Sequence, residues 1–298
     1  MFNKVLIIGC GLLGSSVLRG IYNKKLSKTI LVLEKSKKNI SKIKKIKPNI
    51  KFIKNLDNQI GDVDLVIICT HMNEYKKIIY KLNKNLKSKC LISDVGSTKI
   101  NLIKLKNKLL SKRLCWISSH PIAGSEVSGP EFGSKNLFLN KWCVIIKEKK
   151  NNSKKLNLLK KFWKKLGSKV ILMDANNHDK IFSITSHLPH LIAYNLIKTA
   201  QDSQKIQRKN LVKYSAGGLR DFSRIAASNE IMWRDIFFSN NSIIQAINLF
   251  TKNLNSFKKN IQSKNNKKLL SKLISSKKVR KQIVLLKQDV AKPDFGRE

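Results

Sequence analysis

The stretch KVLIIGCGLLGSSV, residues 4–17, determines how the rest of the chain is interpreted. A short apolar run typical of a buried strand leads into the pattern G-x-G-x-x-G, and a segment of helical period follows. In this pattern the first glycine permits a tight turn, the second lets the backbone approach a pyrophosphate, and the third lets the helix pack closely. The helix N-terminus then faces the diphosphate. We therefore predict a dinucleotide site formed by Gly9, Gly11, Leu12, Leu13 and Gly14.

The second predicted strand, TILVLE, ends at Glu34, about 20 residues beyond the last of these glycines. An acidic side chain at this place accepts hydrogen bonds from the ribose hydroxyls of adenosine, which favours NAD over NADP as the cofactor. The alternative rests on three lysines that would bind the 2′-phosphate of NADP, namely Lys35, Lys37 and Lys38. Thr70, at the end of the apolar run DLVIICT, is also assigned to the cofactor site.

Further apolar runs, among them CLISDVG, LCWISS, WCVIIK and KVILMD, alternate with lysine-rich segments of helical period. This alternation predicts an α/β fold with a Rossmann-type, mostly parallel sheet. From about residue 177 to residue 286 the sequence has only helical periodicity. We therefore predict a dinucleotide-binding domain at residues 1–172 and an all-helical domain at residues 173–298, whose large apolar faces indicate a homodimer.

The chain carries 61 Lys and Arg against 18 Asp and Glu, a formal net charge of +43. Such a charge often indicates nucleic acid or an anionic surface as the partner. Here the cations are mostly lysines spread over polar helical faces, and only 7% of the residues are aromatic. Nucleic-acid sites instead combine clustered arginines with exposed aromatic rings. We expect neither a nucleic-acid partner nor a membrane span, because no apolar run is long enough to cross a bilayer.

The five cysteines lack CxxC spacing and lie mostly in apolar runs, which indicates reduced thiols and a cytoplasmic protein. The five histidines are not arranged with acidic or thiol neighbours in a ligand pattern. We therefore expect no metal site.

Residues 114–134 contain no Lys or Arg, although the chain has 61 of these residues, and they include HPIAGSEVSG at 120–129. This motif follows one predicted strand, and SDVGSTK at 93–99 closes the preceding one. Because ligands of doubly wound sheets bind at the carboxyl ends of the strands, we expect the hydroxyl of Ser97 and the imidazole of His120 to meet over one substrate atom. The alternative for Ser97 is a helix cap.

Three of the chain's few arginines lie close together in the helical part, at Arg220, Arg224 and Arg234. An arginine offers a planar, two-pronged donor that lysine cannot replace, so its presence here suggests a carboxylate ligand for Arg224. The alternative is an internal ion pair of Arg224 with Asp221 or Asp235.

Taken together, five motifs resemble those of the prephenate and arogenate dehydrogenases of tyrosine biosynthesis. They occur in the order and spacing of that family between Gly9 and Trp233, as GCGLLGSS, DVGSTK, HPIAGSEVSG, SHLPH and GGLRDFSRIAASNEIMW. A joint match of five motifs is far more specific than the glycine loop alone. The resemblance implies a nucleotide-binding domain, a helical dimerisation domain, and oxidative decarboxylation of a small cyclohexadienyl acid to an aromatic product.

The resemblance also implies roles for individual residues. His120 would hydrogen-bond the ring hydroxyl of the substrate and take its proton as hydride leaves the same carbon for the nicotinamide, and Ser97 would support both groups. Arg224 would pair with a substrate carboxylate. The remaining assignments are His190, Trp233 and Ser125 as substrate contacts and a supporting role for His187. We further expect ionic links that either gate the cleft or hold the domains together. These links would form among Arg220, Arg224, Glu126, Asp179 and Asp221.

Several alternatives remain open at this point. The motifs do not distinguish prephenate from arogenate, and they do not decide whether tyrosine inhibits the enzyme. A related β-hydroxyacid dehydrogenase is a second interpretation, but such enzymes use a lysine base on the first helix after the domain boundary, where SHLPH stands here. A basic nucleic-acid-associated protein on an inactive scaffold is a third, and the intact glycine loop, His120 and Arg224 argue against it.

Overall fold

The computed structural model describes residues 1–46, 50–87, 89–124, 126–207, 210–286 and 288. Its larger sheet has six strands: β1 (Phe2–Ile8), β2 (Ser27–Leu33), β3 (Lys51–Ile53), β4 (Leu65–Ile68), β5 (Leu91–Asp94) and β6 (Cys115–Trp116). All pairings are parallel, in the order β3-β2-β1-β4-β5-β6. This is the strand order of dinucleotide-binding folds, in which the ligand binds where the order reverses, beside β1 and β4.

A second sheet contains β7 (Ser119–Pro121), β8 (Trp142–Ile146) and β9 (Lys169–Met173). In it β7 runs antiparallel to β8, and β8 runs parallel to β9. The run LCWISS, predicted as one strand, is therefore divided between two sheets, because the chain leaves the edge of the first sheet after β6 and pairs with β8. The edge strand β3 was missed, since its three residues lie among lysines.

Helices cover both faces of the larger sheet, because alternate side chains of its strands point to opposite sides. In β1, Val5 and Ile7 belong to one apolar cluster, and Leu6 and Ile8 belong to the other. The helices of this part of the chain are α1 (Leu12–Asn23), α2 (Lys37–Ile46), α3 (Tyr75–Asn85), α4 (Ile100–Leu109) and α5 (Ser153–Lys165). α1 and α5 contribute to the first cluster, and α3 contributes to the second.

After β9 every regular element of the described chain is helical: α6 (Ala175–Phe182), α7 (Leu188–Gln207), α8 (Gly217–Ala226), α9 (Glu230–Ser239), α10 (Ser242–Gln262) and α11 (Asn266–Leu285). The predicted fold class, a parallel α/β sheet followed by helices, is confirmed. The chain forms two compact units, at residues 1–243 and from residue 244 on. The domain boundary near residue 172 stays a prediction. Within the described ranges, no helix has both the length and the apolar character needed to cross a bilayer.

The turn between α6 and α7, Ser183–His187, is a wider π-helical turn. Pro189 follows it in the first turn of α7. A proline inside a helix lacks the N–H for the usual hydrogen bond, and its ring collides with the carbonyl four residues earlier. Widening of the preceding turn relieves that collision, and such turns are frequent at functional sites.

A fully buried ion pair lies where the two sheets and α6 meet. The ammonium of Lys99 is 2.6 Å from Asp94 Oδ2 and donates to the Ser119 carbonyl oxygen at 2.7 Å. The Lys99 backbone amide donates to Asp179 Oδ1 of α6 at 2.9 Å. Asp94 Oδ1 also accepts a hydrogen bond from the Trp116 indole N–H at 3.0 Å. Lys99 therefore connects β5, β7 and α6 by side chain and backbone together.

Replacing Lys99 with Met would leave the Asp94 carboxylate buried without its counter-charge. We expect this substitution to lower the free energy of unfolding by about 3–5 kcal/mol, because an unpaired buried charge cannot recover its lost hydration. The matched control is Lys198→Met, in an ion pair whose side chains are 59% and 48% exposed, for which we expect a loss of less than about 1 kcal/mol. Urea unfolding of both variants measures the difference, and equal losses would contradict this account.

Candidate active site

The glycine loop between β1 and α1 requires glycine at two of its positions. Gly9 has a φ of +84°, in the left-handed region, and a Cβ there would lie 2.8 Å from Thr70 Cγ2. A Cβ on Gly14 would overlap the carbonyl oxygen of Gly9, so only glycine lets α1 approach the loop this closely. Leu12 and Leu13 form the first turn of α1, with its N-terminus at the loop.

The corner beside this loop has the shape and the polar groups that a dinucleotide needs. A Cβ on Gly11 would meet no protein atom within 4 Å, so that side of the loop is open. The Glu34 carboxylate accepts hydrogen bonds from the amides of Cys10 at 2.8 Å and Ser36 at 2.9 Å, which fix it at the end of β2. The buried hydroxyl of Thr70 has no partner within the described chain. These features fit a bound dinucleotide.

His120 lies on β7, directly after Ser119, and is only 9% exposed. Its Nδ1 is 2.8 Å from Nε2 of His178, and the ring of Phe182 packs against it with centroids 5.0 Å apart. Burial lowers the pKa of His120 well below the ordinary imidazole value, and the nearby groups of His178, Lys99 and His187 lower it further. The ring is therefore neutral at physiological pH and able to take up a proton.

Ser97 lies in the loop between β5 and α4 and is partly buried. Within the described chain the imidazole of His120 is hydrogen-bonded to His178 and not to Ser97. The helix-cap alternative for Ser97 is wrong, because Lys99 is the residue that precedes α4, and the Asp179 carboxylate accepts hydrogen bonds from the amides of Lys99 and Ile100, both at 2.9 Å. A contact between Ser97 and the substrate stays a prediction.

Arg224, on α8, is half-exposed and pairs with Glu126 in the loop after β7, with 3.1 Å between Nη1 and Oε1. The predicted ionic link between these two residues is therefore present. Asp235 pairs with Arg234 at 2.7 Å. The expected link from Asp179 to the arginines is wrong, because that carboxylate is fully buried at the start of α4.

Two of the predicted substrate residues lie together in the helical part. His190, on α7, stacks on Trp233, on α9, with centroids 3.8 Å apart and an interplanar angle of 22°. His190 Nδ1 donates to the Ser186 carbonyl oxygen at 2.9 Å, and burial lowers its pKa. The indole N–H of Trp233 is buried without a partner in the described chain. His187 is buried beside them and bonds to Asn240 Nδ2 at 3.0 Å.

Sequence reasoning missed the residues that support His120 from behind. His178 lies in none of the five motifs, and Asp179 was predicted to form an ionic link with the arginines at the cleft. A usable signal was present, since His178 and Asp179 are adjacent in a chain with only 18 acidic residues and 5 histidines. The contact of Asp179 with α4 spans 80 positions, which no local pattern reveals.

Two further expectations are not tested by this structure. Ser125, a predicted substrate contact, lies outside the described residues. Among the residues that are described, no group of three or more His, Cys, Asp or Glu side chains is close enough to hold a metal ion. The expectation of a metal-free site stays a prediction.

Family comparison agrees with this arrangement. The prephenate dehydrogenase nucleotide-binding domain family matches residues 19–172, and the prephenate dehydrogenase dimerization domain family matches residues 174–275. The cyclohexadienyl dehydrogenase of Zymomonas mobilis is 29% identical over 94% of this chain and 96% of its own length. The prephenate dehydrogenase of Lactococcus lactis is 31% identical over 98% of this chain and 80% of its own length.

A solved structure is similar along almost the whole chain. The crystal structure of prephenate dehydrogenase from A. aeolicus, in complex with hydroxyphenyl propionate and NAD+, has a TM-score of 0.87 at 32% identity. The match covers 95% of this chain and 99% of that one. The resemblance seen in the five motifs is thereby confirmed, and the chain belongs to the prephenate dehydrogenase family.

Proposed function

We propose that this chain catalyses the NAD-dependent oxidative decarboxylation of prephenate to 4-hydroxyphenylpyruvate in tyrosine biosynthesis. One observation carries the proposal: His120 is a buried imidazole with Nδ1 bonded to His178 and with Nε2 free of any hydrogen bond to the described chain. It lies on β7, where the family motif puts the substrate. Arogenate is the second candidate, because it has the same ring and differs only in an amino group on the side chain.

His120 would do the proton chemistry. In the substrate, the ring carbon that bears the hydroxyl group loses a hydride, and the hydroxyl proton moves to His120 Nε2, so that a ring carbonyl forms without a protonated intermediate. The bond to the ring carboxylate then breaks, carbon dioxide leaves, and its electron pair makes the ring aromatic. The proton returns from His120 to the phenolic oxygen. Bound NAD supplies the acceptor for the hydride.

The other residues would bind and orient. Arg224 would exchange its pairing with Glu126 for a carboxylate of the substrate, since its side chain is 52% exposed. Ser97 would hydrogen-bond the ring hydroxyl from the loop before α4. The stack of His190 on Trp233 would form an apolar wall for the ring and, with Ser125, complete the pocket.

NAD is favoured over NADP because Glu34 is already fixed at the end of β2 by two amide donors. In that position its carboxylate would accept hydrogen bonds from the ribose hydroxyls of NAD and would repel the 2′-phosphate of NADP. The glycine loop, Leu12, Leu13 and Thr70 would hold the rest of the dinucleotide.

The remaining expectations also become proposals. We assign the dinucleotide to residues 1–172, and the dimer contacts together with the substrate contacts of His190, Arg224 and Trp233 to residues 173–298. Within the second compact unit, α10 and α11 expose many apolar side chains, which a second copy of the chain would cover: Leu249, Leu254, Ile261, Leu270, Leu273, Ile274, Val279 and Ile283. The five free cysteines suit a reducing, cytoplasmic location.

The proposed activity is tested by absorbance at 340 nm after mixing the full chain with prephenate or arogenate and with NAD or NADP. We expect absorbance to rise with NAD, and kcat/KM with NADP to be at least about tenfold lower, the value of one hydrogen bond to a charged group. Prephenate should be the better substrate. Reactions without either acid are the control, and no rise with either acid would overturn the proposal.

His120→Asn should lower kcat by about 10² to 10⁴-fold while the KM for NAD stays unchanged, because only the proton acceptor is lost. The matched control is His71→Asn, at an exposed histidine, which should keep full activity. Since burial lowers the pKa of His120, kcat/KM of the unaltered enzyme should stay level down to about pH 6.5 and fall only below it. Equal activity of the two variants would remove His120 from the mechanism.

Arg224→Ala should raise the KM for the substrate by about 10 to 100-fold and leave the KM for NAD within about twofold, because a charged hydrogen bond contributes roughly 1.5–3 kcal/mol. Glu126→Gln is the discriminating control, since it breaks the same ion pair but keeps the guanidinium. It should leave the substrate KM unchanged or lower it. If Glu126→Gln weakens substrate binding as much as Arg224→Ala does, the role of Arg224 is only structural.

A further inference from the structure

His120 ends a buried chain of three hydrogen-bonded side chains, and the other two, His178 and Asp179, take no direct part in the proposed reaction. His120 Nδ1 is 2.8 Å from His178 Nε2, and His178 Nδ1 is 2.7 Å from Asp179 Oδ1. His178 and Asp179 are fully buried, and His120 nearly so. Water therefore does not compete for these hydrogen bonds.

The amides at the start of α4 determine which atoms donate and which accept along these three side chains, because they bind Asp179, the last of the three. Asp179 Oδ1 accepts from the Lys99 amide and Oδ2 from the Ile100 amide, both at 2.9 Å. Backbone amides only donate, so both oxygens of Asp179 act as hydrogen-bond acceptors toward the start of α4. The atom of His178 that faces this carboxylate must therefore carry a hydrogen.

The hydrogen positions on both rings follow from this start. A neutral imidazole has one donor nitrogen and one acceptor nitrogen. With the hydrogen on Nδ1, His178 presents the lone pair of Nε2 to His120, and Nδ1 of His120 must donate to it. The lone pair of His120 is then on Nε2. Burial lowers the pKa of both rings, which keeps them neutral.

We propose that His178 and Asp179 are positioning residues that hold His120 in its Nδ1–H tautomer, with the Nε2 lone pair directed to the substrate hydroxyl. This inference rests on the proposed dehydrogenase function. When His120 takes the hydroxyl proton at Nε2, its Nδ1–H bond stays intact and His178 remains the acceptor. No proton moves along the chain, and Asp179 stabilises the imidazolium through one intervening ring.

Packing against Phe182 fixes the rings of His120 and His178 in the orientation that their hydrogen bond requires. Phe182, one turn after His178 on α6, contacts both imidazoles, with centroids 4.6 Å from His178 and 5.0 Å from His120. Asn240 Nδ2 donates to the Asp179 carbonyl oxygen at 2.8 Å and so ties this turn of α6 to the segment after α9. The other titratable groups around the chain are the Asp94–Lys99 ion pair and His187.

The test uses His178, because Asp179 also caps α4 and its substitution would change stability too. His178→Leu removes the acceptor for His120 Nδ1, so kcat should fall at least about tenfold, as when a catalytic imidazole loses its orienting partner, while the KM for the substrate and for NAD stays within about twofold. His178→Gln can still donate to Asp179 with its amide nitrogen and accept from His120 with its oxygen. It should recover most of kcat, and an equal kcat for the two variants would overturn the proposal.

A direct readout is the ¹⁵N NMR spectrum of the full chain labelled at its histidines, with the signals of His120 assigned by comparison with His120→Asn. At neutral pH, Nδ1 of His120 should be protonated and Nε2 unprotonated. An unprotonated Nδ1 would overturn the proposal even if prephenate is oxidised. This spectrum needs no substrate, so it decides the tautomer of His120 even if His178→Leu fails to fold or if the proposed function is wrong.

Discussion

The site depends on one buried contact, the placement of Lys99. Its ammonium donates hydrogen bonds to the Asp94 carboxylate at the end of β5 and to the carbonyl oxygen of Ser119, just before His120. Its backbone amide donates to the Asp179 carboxylate of α6. A single residue therefore joins the larger sheet, the smaller sheet and the first helix after β9. Because a charge buried this deeply cannot move to another partner without large cost, the imidazole of His120 stays in one position relative to the glycine loop's sheet.

The same arrangement explains how a lysine-rich chain keeps a neutral base. Desolvation lowers the pKa of His120, and the nearby groups of His178, Lys99 and His187 lower it further, so the ring is neutral when substrate arrives. Arg224 differs, because it is half-exposed and paired with Glu126, as suits a group that must exchange one carboxylate for another. Most of the net charge of +43 lies elsewhere and has no part in this chemistry.

Much of the fold could be predicted, because parallel strands buried on both faces appear as apolar runs and the glycine loop has a strict steric pattern. The division of LCWISS between two sheets could not, since it depends on pairing with β8. The motifs located His120 and Arg224, and the spacing after the glycine loop located Glu34; their roles stay predictions. Asp179 was misassigned, because its partners at the start of α4 are about eighty positions away. Contacts of this range leave no trace in local periodicity.

The proposed reaction therefore requires that one nitrogen of one buried ring contacts the reacting oxygen. The most direct measurement is the crystal structure of the full chain with NAD and hydroxyphenyl propionate, the compound present in the A. aeolicus complex. We predict that the phenolic oxygen lies within about 2.6–3.2 Å of His120 Nε2. A phenolic oxygen that contacts other groups and leaves Nε2 of His120 without a ligand contact would contradict the account.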